Sequence, residues 1–112
     1  MDYLQEVHED VLIQVVDLTR ATQKEAEEFK YTLQKNIAAG YRKIIVDLSY
    51  CEFIDSTFLG ALVVSLKKVT TVGGDLRIVG IHPSVQALFE LTRMHRVFDI
   101  FPTKEQAISS YN

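Results

Sequence analysis

The sequence predicts an α/β fold: a small, mixed, mainly parallel β-sheet with about four α-helices. Three observations predict it. Short β-branched runs alternate with longer segments of helical periodicity, a pattern that requires crossover connections and therefore parallel strands. One run, Ile44-Ile45-Val46-Asp47-Leu48, is nearly continuously apolar, as a strand covered on both faces must be. Two extended runs stand together at the start with no helix between them, which places one antiparallel strand at an edge. A length of 112 residues with 47% apolar content suits one domain, residues 1–112.

The elements follow in order. Residues 2–8 read as a weak first strand, and Val11-Leu12-Ile13-Gln14-Val15-Val16 as a β-branched second one. Thr22 with Glu25 forms a capping box that opens a helix. Ala26, Phe29, Leu33 and Ile37 then recur at helical spacing, and Gly40 stands where a left-handed residue ends such a helix. After the apolar strand at 44–48, a second helix fits residues 56–71, with Leu59, Leu62, Val63, Leu66 and Val69 as its buried stripe. Gly73-Gly74 ends it in a turn. Leu76–Val79 is the next strand. Pro83 at a first-turn position opens a third helix with Val85, Leu88, Phe89 and Leu91 inward. Val97–Phe101 reads as a last short strand, and Thr103 with Gln106 opens a C-terminal helix through Ala107, Ile108 and Tyr111.

Composition narrows the function. Twelve basic against fifteen acidic residues, net −3, leave no electrostatic footprint for nucleic acid. No apolar run approaches the ~20 residues a spanning helix needs, and no secretory leader is evident, so membrane insertion is not expected and a cytoplasmic location is. His8, His82, His95 and the lone Cys51 show no metal-ligand spacing, so neither a metal nor another cofactor is expected. Cys51 reads as a packing residue near a strand end. Asp17 and Asp47 end strands, but the acidic pair of a phospho-aspartate receiver is missing. With no phosphate-binding glycine loop and no nucleophile elbow, the chain is not expected to be an enzyme.

The informative stretch is Ile45 to Leu62, and its centre is Phe53-Ile54-Asp55-Ser56-Thr57-Phe58-Leu59-Gly60. A buried strand ends, a loop follows, and a helix begins at Asp55-Ser56-Thr57. In an open α/β sheet this carboxyl-end crevice is where function gathers. A hydroxyl at a helix start has two uses. It caps a free backbone N–H, or it accepts a phosphoryl group that the helix dipole tolerates.

This segment resembles the signature of the STAS domain, shared by sulfate transporters and anti-sigma factor antagonists. In that signature an apolar strand is followed by Phe-Ile/Met-Asp-Ser-Thr/Ser-Gly-Leu-Gly. The likeness continues through Gly73-Gly74 and Pro83-Ser84-Val85-Gln86-Ala87-Leu88-Phe89-Glu90-Leu91-Thr92. It implies a bacterial anti-sigma factor antagonist, which binds an anti-sigma factor serine kinase and is released when that kinase phosphorylates it. A metal-dependent serine phosphatase then resets it. By motif, Ser56 is the phosphoacceptor. Asp55, Ser56, Thr57, Phe58 and Arg20 are the expected partner-binding residues, with Asp55 orienting the hydroxyl or adding partner-facing charge. The same domain also serves as an adaptor in lipid-transport complexes or signalling particles, and as a phosphoswitch for motility or biofilm formation.

Three positions depart from the family pattern. Phe58 replaces a glycine, Arg93 stands after the third helix where glycine is typical, and Arg20 falls where a glutamate is common. Phe58 lies about 100° from Leu59 on the second helix, off the expected stripe, so it either anchors a partner or fills a local gap.

Overall fold

A computed structural model describes residues 4–112. The first strand, β1, runs Leu4–His8, so residues 2–3 of the expected strand lie outside the described residues. The elements that follow are β2 (Val11–Val15), β3 (Arg20–Ala21), α1 (Gln23–Ala38), β4 (Lys43–Asp47), β5 (Phe53–Ile54), α2 (Ser56–Thr71), β6 (Asp75–Val79), α3 (Pro83–Leu91), a 3-10 turn at Met94–Arg96, β7 (Ile100–Phe101) and α4 (Lys104–Ser109).

Five strands form one sheet in the order β1-β2-β4-β6-β7, with β1 antiparallel at the edge and the rest parallel. Because side chains alternate across a strand, the two faces collect different residues. Ile44, Val46, Leu76 and Ile78 pack with α1, α2 and α3. Val11, Ile13, Val15, Ile45 and Val79 face Ala107 of α4. The centre of β4, Ile44-Ile45-Val46, is therefore apolar on both faces, as its sequence requires.

Local chemistry fixes the ends. Glu25 Oε1 accepts from both the N–H (2.9 Å) and the hydroxyl (3.1 Å) of Thr22. Gly40 takes φ +111° just past α1. The C-terminal segment is pinned by Tyr111, whose hydroxyl reaches the carbonyls of Ile44 (2.7 Å) and Asp75 (2.9 Å), while the Arg77 guanidinium stacks 4.0 Å from its ring.

Three expectations need correction. β7 is two residues long, because Val97 closes the 3-10 turn and Phe98 turns inward to meet Phe89 edge-on at 5.8 Å. Leu91 is 83% exposed: two residues past Phe89 on a helix, it points about 200° away from it. Finally, β3 and β5 form an additional parallel pair that the sequence does not announce.

Candidate functional site

The loop after β4 is held from both sides. The Glu52 N–H donates to Thr19 O (2.8 Å), and β5 pairs with β3 in the register Arg20↔Phe53 and Ala21↔Ile54. From the other side, Ser84 donates its hydroxyl to Glu52 O, and the His82 ring nitrogen meets Ser49 O at 2.7 Å. Cys51 is fully buried beneath, its thiol 3.7 Å from Val16 O, and burial pushes that thiol up to about 12. It is a packing residue with no thiolate to offer near neutral pH.

Gly80 shows how closely the loops approach. Its φ is +74°, and a Cβ there would lie 2.7 Å from Ser49 Cβ. Gly80→Ala combines a disfavoured left-handed backbone with this clash. It is expected to destabilise the fold by about 2 kcal/mol in chemical denaturation. A wild-type midpoint would show that the loop yields freely.

At the start of α2 the roles divide differently from the sequence expectation. Asp55, not Ser56, is the N-cap. Its Oδ1 accepts from the Phe58 N–H at 2.9 Å, and its Oδ2 accepts from the Gln23 N–H, also at 2.9 Å. Gln23 is the first residue of α1, so one carboxylate caps two helices. Both oxygens are engaged within the fold. Asp55 therefore does not orient the Ser56 hydroxyl by a hydrogen bond; its half-buried carboxylate serves the two helix starts.

Ser56 and Thr57 are exposed. Among the described residues the Ser56 hydroxyl forms no hydrogen bond, and neither do the backbone N–H groups of Ser56 and Thr57. A free hydroxyl thus stands beside two unpaired donors at the positive end of a sixteen-residue helix. Arg20 is also exposed, its guanidinium 4.3 Å from the centre of the Phe53 ring. Phe53 (38% exposed) and Tyr50 (57% exposed) add apolar surface on the same loop. Neither aromatic was singled out as a site residue by the motif; each is visible only once the loop's outward faces are known.

Phe58 is a correction. It is 0% exposed and packs against Phe29 of α1, ring centres 4.8 Å apart. It is a core residue between the two helices, and the reading of Phe58 as a partner anchor is withdrawn. Depressions of about 470 Å³ (Asp10 and Ala39–Lys43) and 730 Å³ (α3 and Asp99–Pro102) are not lined by residues 55–58. Among the described residues no three His, Cys, Asp or Glu side chains gather as metal ligands, and no helix is long and apolar enough to cross a membrane.

These features define a small α/β domain that presents a hydroxyl-bearing helix start on a loop-built face. The STAS domain family matches residues 7–107, and the chain belongs to that family. A relative from Thermotoga neapolitana, described provisionally as an anti-sigma factor antagonist, is 34% identical over 79 residues, 70% of each chain. The crystal structure of a Thermotoga maritima protein, provisionally of the same description, superposes with a TM-score of 0.89 at 28% identity, covering 96% of this chain and 92% of that one. The Bacillus cell-fate determinant SpoIIAA in its phosphorylated form shares the fold, with a TM-score of 0.76 at 17% identity over 99% of this chain and 100% of that one.

Proposed function

We propose that this chain is an anti-sigma factor antagonist of the bacterial cytoplasm, switched by phosphorylation of Ser56 and without enzymatic activity of its own. The observation that carries this reading is the free, exposed Ser56 hydroxyl at the α2 start, left available because Asp55 does the capping. Unphosphorylated, the face of Arg20, Phe53, Ser56 and Thr57 binds an anti-sigma factor serine kinase. A phosphoryl group adds roughly −1.5 to −2 charge there and repels the docked partner. A metal-dependent serine phosphatase reverses the step. The family and the descriptions of its relatives support the role.

Incubation with the cognate kinase and ATP should place an acid-stable phosphoester on Ser56. Phosphate on Thr57 alone, or an acid-labile acyl phosphate on Asp55, overturns the assignment. Ser56→Ala should melt within about 0.5 kcal/mol of wild type, since no cap is lost. It should bind the kinase constitutively, and Ser56→Asp should bind it more weakly. Calorimetric titration of both variants decides this: wild-type affinity in both would mean that Ser56 controls nothing.

A further inference from the structure

The 3-10 turn after α3 carries a second surface. α3 begins beside the loop face and takes the chain about 13 Å away from it over nine residues. There Leu91 is 83% exposed and Val97 49% exposed, with Arg93, His95 and Arg96 exposed between them. The turn is a firm mount. Met94 packs against the core, Phe98 is buried, and the Val97 and Phe98 N–H groups both donate to Met94 O at 3.0 Å. Among the described residues neither Arg93 nor Arg96 has an ion-pair partner. The nearby Glu90 carboxylate accepts instead from Gln86 (3.2 Å).

Arg93 also holds an unfavourable backbone conformation, φ 62° and ψ 17°, the left-handed region in which glycine is at ease. That conformation is a common one just past a helix C-cap; with the Arg93 N–H donating to Glu90 O at 3.1 Å, it turns the chain from α3 into the 3-10 turn.

We propose that Leu91, Arg93, Arg96 and Val97 form a second docking surface, separate from the Ser56 face, for an acidic segment of a partner protein that brings carboxylates together with apolar side chains. Charge complementarity selects the segment over an anionic bilayer. Apart from Arg93 and Arg96 the chain has ten basic against fifteen acidic residues, so a wide negative surface repels the rest of the molecule. A short segment meets only the patch. Exposed arginines beside apolar anchors are what such recognition uses.

The test is an amide-shift titration of the isotope-labelled full chain against three probes. These are a short soluble peptide of Glu, Asp and Leu, its Gln, Asn and Leu counterpart, and phosphatidylcholine vesicles with and without phosphatidylglycerol. The acidic peptide should shift amides of residues 91–97, more weakly at high salt, and leave residues 53–58 unmoved. The double variant Arg93→Gly with Arg96→Gln should lose about tenfold or more in affinity and melt no lower than wild type. Leu91→Ser should also bind more weakly. Absence of shifts at 91–97, equal shifts with the uncharged peptide, or preferential binding to phosphatidylglycerol vesicles each overturns the proposal.

Discussion

Phe58→Ala is expected to reduce the unfolding free energy by about 4 kcal/mol, the cost of truncating a fully buried aromatic. The ring fills the space between α1 and α2 and touches Phe29 at 4.8 Å between centres. A small residue at this position leaves one face of the Phe29 ring without contact, and a cavity too apolar to hold water. Domains of this kind have only ~5–15 kcal/mol in total, so the variant should unfold at a much lower denaturant concentration. A double-mutant cycle with Phe29→Ala should show coupling of about 1 kcal/mol beyond additivity. Partner affinity of the folded fraction should stay at the wild-type value. A stability loss under about 1 kcal/mol together with weakened binding would return Phe58 to the surface.

Asp55→Ala is expected to cost about 3 kcal/mol, since it removes two charge-assisted caps from two helices at once. A single N-cap loss typically costs ~1 kcal/mol, so the excess measures the shared arrangement. Asp55→Asn should fall between, because an amide oxygen replaces one acceptor while its nitrogen faces an N–H. Amide exchange resolves the two contributions: Gln23 and Phe58 should both lose protection in Asp55→Ala. Protection lost at Phe58 alone would show that the link to α1 carries no weight.

The parts of the fold that were legible in the sequence are those with a repeating signal. The long helices were marked by recurring apolar positions and the Thr22–Glu25 box, and the central strands by short, largely β-branched apolar runs. The β3–β5 pair was not legible, because two-residue strands have no period and depend on loops meeting in space. Phe58 was misplaced for a related reason. The expected stripe counted only large aliphatic residues and centred near Leu59 and Leu66. The observed buried arc also includes Ala61 and Ser65, which moves its centre by about 80° toward Val69 and Phe58. Small residues mark the side of α2 that approaches α1, and Ser65 can be buried there because its hydroxyl donates to Ala61 O at 2.9 Å. At the site, the motif located Ser56 and Thr57 on exposed backbone, but the double cap was illegible because Gln23 and Asp55 are brought together only by the β3–β5 pairing.

That double cap bears on how a kinase could recognise its substrate. Ser56 is the first residue of a helix whose start is tied to a second helix thirty-two positions earlier in the chain. An extended peptide spanning Ser56 reproduces the local residues and none of this geometry. On the role proposed for Ser56, a kinase that reads this geometry would act on the native shape rather than on a linear motif, and an isolated peptide should be a poor substitute for the intact domain. Newly made or unfolded copies would escape modification, so the phosphorylated pool would consist only of molecules that had already folded.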